Sequence, residues 1–184
     1  LLLPDPGEDT ESLEAVLPGE APARYVKRVT SLKLDAAMER LRRRALPAAP
    51  VLCSDTTVAR GRTIYGKPAD ERDAMRMLRE LSGATHRVLT AVAIQHGRKR
   101  REALSDSRVI FEAMTPAQLR DYVATGEPMG KAGAYAVQGW VAAHIVRIAG
   151  SYTGIMGLPL YETALLLREF GVRNSRANPT ATLG

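Results

Sequence analysis

The chain has 184 residues, 45% of them apolar and 25% charged, which suits one globular domain able to bury roughly 70% of its unfolded surface without staples. Its single cysteine, Cys53, excludes an internal disulfide and points to a reducing, cytoplasmic setting, and no apolar run reaches the roughly 18 residues of a membrane helix. The net charge of +6 favours anionic partners, yet 5% aromatics and one tryptophan give little platform for single-stranded nucleic acid, and the basic residues lack helix-turn-helix or zinc-finger spacing.

The sequence does not open on Met. Leu1-Leu2-Leu3 running into Pro4-Asp5-Pro6-Gly7 reads as a buried strand entered midway, with residues expected upstream. A first helix is predicted from Pro22 to Arg44, with Tyr25, Val29, Leu32, Ala36 and Leu41 near one face. Leu46-Pro47-Ala48-Ala49-Pro50 breaks it. Val51-Leu52-Cys53 reads as a short buried strand ending at Ser54-Asp55-Thr56. A second short strand, Thr57-Val58-Ala59, turns at Arg60-Gly61-Arg62 into Thr63-Ile64-Tyr65.

Gly66-Lys67-Pro68 closes that hairpin and leads to a second helix. Asp70 is its N-cap, Ala74, Met77, Leu78 and Leu81 form its apolar stripe, and Gly83 ends it. A strand from Thr85 to Gln95 follows, and a basic turn at Gly97 to Arg101 returns the chain as a strand from Ala103 to Glu112. Thr115-Pro116-Ala117-Gln118 marks a helix start with a capping box and proline at the first helical position. Gly130 to Gly139 is a glycine-rich loop and Ala142 to Ile148 another strand. Leu160 to Phe170 is a last helix with Leu165, Leu166 and Phe170 inward. From about Arg173 a polar tail without periodicity begins. The sum is a mixed α/β domain over residues 1–172 with hairpins and flanking helices, followed by a tail over 173–184.

Three segments stand apart from ordinary connections. Asp55, placed past the end of an apolar strand, points where α/β folds put ligands, although a lone Asp also suits a turn or a cap. Gly61 to Pro68 nearly matches a phosphate-binding P-loop, but Pro68 has no hydroxyl for Mg²⁺ and Thr63-Ile64-Tyr65 is β-like, so the match fails. Lys67 is then either a phosphate ligand or a solvated hairpin lysine. Gly126 to Gly139 carries small residues that let backbone approach a ligand, with Lys131 as a cation and Gln138 able to read a base edge. The alternative is a long structural loop. Cys53 has no CxxC partner and reads as core packing. His86, His96 and His144 lack metal-ligand spacing and read as exposed or hydrogen-bonded strand positions. The clusters Arg42-Arg43-Arg44 and Arg98-Lys99-Arg100-Arg101 read as solvated surface.

Taken in order, Asp55-Thr56, Gly66-Lys67-Pro68, Leu81-Ser82-Gly83 with His86, Val88-Leu89-Thr90, Gly126-Glu127-Pro128, Lys131 to Gly139 and Gly157-Leu158-Pro159-Leu160 resemble the Maf (septum-formation) family of nucleotide pyrophosphatases. Tyr25-Val26 and Lys33 also match its first helix, and Glu8 is similar to its early acidic position. The resemblance spans about residues 1–171. It implies a mixed, twisted α/β sheet in a two-lobed fold with a central cleft, and a homodimer. It also implies hydrolysis of a nucleoside triphosphate to the monophosphate and pyrophosphate with a divalent cation, Mg²⁺ or Mn²⁺. By that likeness Asp55 accepts the proton, Lys33, Lys67 and Lys131 contact phosphates, and Glu8 serves the metal. Thr56 and Gln138 match the branch that resembles dTTP/UTP pyrophosphatases. The family's opening Ser-x-Ser-Pro-Arg-Arg segment falls before Leu1, Gly130 stands where an Asp is frequent, and Ala136 where a Gly is frequent. A non-catalytic nucleotide-binding or septation-regulating protein is the second expectation, and a basic nucleic-acid-binding module a third.

Overall fold

The computed structural model describes residues 1–9 and 11–172; the tail expected over 173–184 lies outside them. Five strands form one antiparallel sheet in the order β2-β1-β3-β4-β5. They are β1 (Val51–Arg60), β2 (Thr63–Tyr65), β3 (Thr85–His96), β4 (Lys99–Phe111) and β5 (Ile145–Ala149). The helices are α1 (Pro22–Arg43), α2 (Glu71–Leu81), α3 (Pro116–Ala124), α4 (Tyr152–Ile155) and α5 (Leu160–Glu169).

Strand alternation assigns the two faces. Odd positions of β1 and β3, including Ala59, Leu89 and Ala91, pack on Tyr25, Val26 and Val29 of α1. Even positions face the other helices. Val58 and Val88 join Met77, Leu78 and Leu81 of α2 and Leu119, Tyr122 and Val123 of α3, while Val92 and Ile94 meet Leu166 of α5. Because β3 is covered on both faces, it reads as a nearly continuous buried run from Val88 to Ile94.

Local chemistry set several elements as expected. Asp70 accepts from the Asp73 amide at 2.7 Å and starts α2. Thr115 and Gln118 form the reciprocal capping box of α3. Other expectations are corrected. Val51 to Ala59 is one strand, not two, so Asp55 sits in mid-strand opposite Ala91 rather than past a strand end. The N-terminal leucines form no strand, and Leu1 and Leu3 are exposed. In α1 the buried face runs through Val26, Thr30, Leu34 and Ala37, leaving Leu32, Ala36 and Leu41 half-buried. Thr30 can sit inside because its hydroxyl donates to the Val26 carbonyl at 2.8 Å.

The β3–β4 turn is only Gly97-Arg98, since His96 already pairs with Lys99. Arg100 and Arg101 are strand residues paired with Asp35 and Glu169. Arg42, Arg43 and Arg44 likewise contact Glu39 and Asp5, so both basic clusters are largely ion-paired surface. The last strand begins at Ile145 rather than Ala142, because Trp140–His144 winds into a 3₁₀ turn with Trp140 stacked on Tyr122. In α5 Leu165 faces outward and Thr163 and Leu166 face in, with Phe170 half-buried.

His86 is a hydrogen-bonded strand position, and it is buried. Its Nε2 is 2.8 Å from the Tyr135 hydroxyl, its ring packs edge-on against Phe111 and Tyr135, and its Nδ1 has no partner. Burial pushes its pKa down to about 4. The unfolded chain therefore binds a proton near pH 6.5 that the folded chain refuses until about pH 4. Stability contributed by the neutral ring is present above pH 6.5 and is lost as pH falls toward 4. Between pH 7 and pH 4.5 this loss is on the order of 2 kcal/mol. Urea unfolding of the parent and of His86→Gln at both pH values checks it; an equal acid loss in the two proteins contradicts it.

Candidate active site

A cleft of about 370 Å³ opens at the β1 edge, where β2 stops. Tyr65 of β2 is the last partner of Val58, so residues 51–57 of β1 have a strand neighbour only on the β3 side. The cleft falls in the 300–1,000 Å³ range usual for small-molecule sites. Asp55, Thr56, Lys33, Lys67, Lys131 and Gln138 all line it, together with Glu14, Tyr25, Ser54 and Gly157. Sequence positions more than a hundred residues apart thus meet in one place.

One wall carries the charges. Asp55 is on the α1 face of the sheet, and its side chain is 13% exposed. Lys33, about two helical turns past the buried Tyr25 and about one past Val29 of α1, sets its ammonium directly against Asp55 and also donates to Glu14 at 2.7 Å. Lys67, in the turn after β2, donates to the same Glu14 oxygen at 3.0 Å. Glu14 ends the 3₁₀ turn Ser12–Glu14, and the Tyr25 hydroxyl holds its carbonyl at 2.9 Å. The result is a chain of alternating charge: Asp55, Lys33, Glu14, Lys67.

Burial raises the Asp55 carboxyl above the ordinary 3.8, against the pull of Lys33. Burial also works against the Glu14 carboxylate, but hydrogen bonds from Lys33 and Lys67 overcome it and its pKa falls below 4.5. Burial disfavours the Lys33 ammonium too, and hydrogen bonds to Asp55 and Glu14 outweigh that, lifting it above 10.5. At neutral pH the wall therefore holds a fixed cation next to a carboxylate that is more basic than an ordinary Asp. If Asp55 must be ionised for turnover, log kcat/KM falls on acidification with a midpoint above 3.8. A pH–rate profile flat down to pH 3.8 is the contrary result.

The opposite wall is the 126–139 loop. Lys131 donates its ammonium to the Glu127 carbonyl. The Gly133 amide donates to the Gly66 carbonyl at 3.0 Å, tying this loop to the Lys67 turn. Gly133 has φ +70°, and a Cβ there would lie 2.8 Å from the Val58 side chain, so only glycine lets the loop close on β1. Gly130 has φ +74° and suits the same left-handed turn. The Glu127 carboxylate accepts from the Tyr122 hydroxyl at 2.8 Å and the Trp140 amide at 3.3 Å, which anchors the turn next to Gln138. Gln138 is exposed at the cleft rim.

Thr56 faces the side away from Asp55. Its hydroxyl is 2.9 Å from that of Thr90, its cross-strand partner. Ser54, on the same face, donates to the Gly157 carbonyl at 2.8 Å. Strand alternation therefore separates the charged wall from a hydroxyl-lined wall, and the glutamine at the rim closes the far side.

Glu8 is not in the cleft. Arg40 holds its carboxylate with contacts of 2.6 and 3.1 Å, and the Asp5 amide adds a third at 3.1 Å. Glu14 is the acidic residue that reaches the site, and sequence reasoning missed it. The N-terminal stretch offers several acidic residues, and contacts from α1, the Tyr25 hydroxyl on the Glu14 carbonyl and Arg28 on the Ala15 carbonyl, set which one enters the cleft. Among the described residues no group of three or more His, Cys, Asp or Glu could hold a metal ion alone. The cleft supplies two carboxylates, Asp55 and Glu14, which suits a hard cation that takes its remaining ligands from phosphate oxygens and water.

The family model described as Maf-like protein matches residues 5–170. A dTTP/UTP pyrophosphatase of Albidiferax ferrireducens is 68% identical over 173 residues, covering 94% of this chain and 86% of that protein. One from a Polaromonas species is 69% identical over 172 residues, covering 94% and 85%. One from Cupriavidus metallidurans is 60% identical over 172 residues, covering 94% and 86%. With its charged cleft and a match running through nearly all of its described length, the chain belongs to the Maf-like protein family.

Proposed function

We propose that the chain hydrolyses dTTP and UTP to the monophosphate and pyrophosphate, a reading supported by relatives named dTTP/UTP pyrophosphatase. The observation that carries the reading is the meeting, in one cleft, of a buried carboxylate of raised basicity with lysines from three distant segments. Lys33, Lys67 and Lys131 suit a triphosphate, whose negative charge grows on the phosphoryl oxygens as the bond breaks. Asp55 takes the proton of a water whose oxygen attacks the α-phosphorus. The bond from that phosphorus to the bridging oxygen breaks, and pyrophosphate leaves with the electron pair. Lys33 keeps Asp55 oriented and offsets its charge when the triphosphate enters.

Glu14 would help hold a divalent cation, Mg²⁺ or Mn²⁺, which when bound supplies further charge neutralisation at the phosphates and leaves Asp55 to take the proton. Thr56 and Gln138 contact the base. The Gln138 amide donates to a carbonyl of the keto-pyrimidine edge, leaving the ring N–H to an acceptor such as Thr56. A homodimer fits the exposed apolar side chains of Val146, Tyr152, Leu160 and Tyr161.

Incubation with Mg²⁺ and a nucleotide panel tests the reaction. Monophosphate plus pyrophosphate is expected, and orthophosphate as the primary product overturns it. Gln138→Glu lowers kcat/KM for dTTP and UTP by about tenfold relative to other nucleotides, since a carboxylate repels the base carbonyls. An equal fall for every nucleotide removes Gln138 from base recognition.

A further inference from the structure

A row of hydroxyls crosses the sheet beneath α4. Thr56 of β1, Thr90 of β3 and Ser105 of β4 are register partners on one face. Thr90 is fully buried, and its hydroxyl donates to the Gly154 carbonyl at 2.6 Å. A hydroxyl has one proton to give. With that proton committed to Gly154, the 2.9 Å contact between Thr56 and Thr90 has one polarity: Thr56 donates and Thr90 accepts. Thr56, half-buried and lining the cleft, is left with only lone pairs to offer a ligand.

We propose that Thr90 is a specificity-positioning residue that fixes Thr56 as an obligate hydrogen-bond acceptor, so that the cleft favours a base carrying a ring N–H over one carrying a ring lone pair. Uracil and thymine have that N–H at N3; cytosine has a lone pair there. This rests on the reading of the cleft as a pyrimidine nucleotide site. An acceptor facing another acceptor repels it and leaves a desolvated group unpaired, so a cytosine nucleotide is disfavoured without any steric clash. Were the proton of Thr56 free, the hydroxyl would rotate to suit either base and the preference would fade. Thr90 itself is covered by Gly154 and touches no ligand. Its effect passes through the orientation of one proton.

The test compares kcat/KM for UTP and CTP in the parent, Thr90→Val and Thr90→Ser, with circular dichroism and thermal midpoints as a check on folding. In Thr90→Val the UTP/CTP ratio falls at least fivefold, chiefly through KM, while Thr90→Ser, which keeps the donor, stays within twofold of the parent. A Thr90→Val ratio within twofold of the parent overturns the proposal. Should the valine variant not fold, Thr56→Val and Thr56→Ser take its place: valine collapses the ratio and serine preserves it, and an unchanged ratio in Thr56→Val likewise overturns the idea. If the parent releases pyrophosphate from no nucleotide, the hydrolase reading fails on its own. Calorimetric Kd values for UMP and CMP then put the same fivefold question to the same variants.

Discussion

Asp55→Asn releases pyrophosphate from UTP at least about a hundredfold more slowly than the parent, with nucleotide binding retained or tightened. The amide fills the same space and can still hydrogen-bond, but it takes no proton from water. The fold tolerates the change. Burial already lifts the Asp55 pKa, so the ionised carboxylate is held at a cost that a neutral side chain does not carry. Lys33 keeps a partner, because Glu14 accepts from it at 2.7 Å. Removing one negative charge from a wall that faces a triphosphate also eases nucleotide entry. Steady-state pyrophosphate release, paired with calorimetric binding of UTP, separates the two effects. A kcat within threefold of the parent would end the assignment of Asp55 as the proton acceptor. Weakened binding with unchanged kcat would make it a binding residue.

The position of Asp55 also shows why sequence patterning reached the site but misread its setting. Ser54-Asp55-Thr56 looks like a strand end because three polar residues interrupt an apolar run. In the structure they continue β1, and they are polar because this part of the strand lines the cleft where β2 no longer covers it. Local rules fail where function imposes its own residues. Elements fixed by nearby groups were legible: the Asp70 cap, the Thr115–Gln118 box and the stripe of α2 depend on contacts a few residues apart. Choices made by distant contacts were not. The face of α1 turned because Thr30 and Arg40 are buried with partners, the first within its own helix and the second through Glu8. Nothing local distinguishes Glu8, tied up by Arg40, from Glu14, tied to the cleft. The lysines were legible as a set because each sits beside glycines, prolines or a family motif, while the hydroxyl row of Thr56, Thr90 and Ser105 becomes visible only once the register is known.

Lys33→Met is the second change with a large expected effect, and it acts on stability and turnover together. Among the described residues Lys33 is the one cation in contact with both cleft carboxylates, and its side chain is 24% exposed against 13% for Asp55. Removing it leaves Asp55 without its ammonium partner and Glu14 with Lys67 alone. Breaking a largely buried pair in this way costs about 2 kcal/mol near pH 8, less than the roughly 3–5 kcal/mol of a fully buried pair because water still reaches part of the lysine. The pH dependence identifies the cause. Without Lys33 the folded-state pKa of Asp55 rises further above its unfolded value, and Glu14 loses part of the pull that holds it below 4.5. The native variant then binds protons that the unfolded chain has released, so its stability declines as pH rises through that interval. The gap to the parent is wide at pH 8 and narrows toward pH 5. Acid loss at His86 is common to both proteins and cancels in the comparison. Lys67→Met, whose side chain is 48% exposed and whose partner Glu14 keeps Lys33, shifts stability by less than about 1 kcal/mol. Both variants lose turnover, since each withdraws a cation from the triphosphate, but only Lys33→Met combines that loss with a pH-dependent gap in urea midpoint. Equal midpoints for Lys33→Met and the parent at pH 8 would mean that the buried carboxylates do not depend on Lys33, and the charge alternation from Asp55 to Lys67 would no longer account for how the cleft is held together.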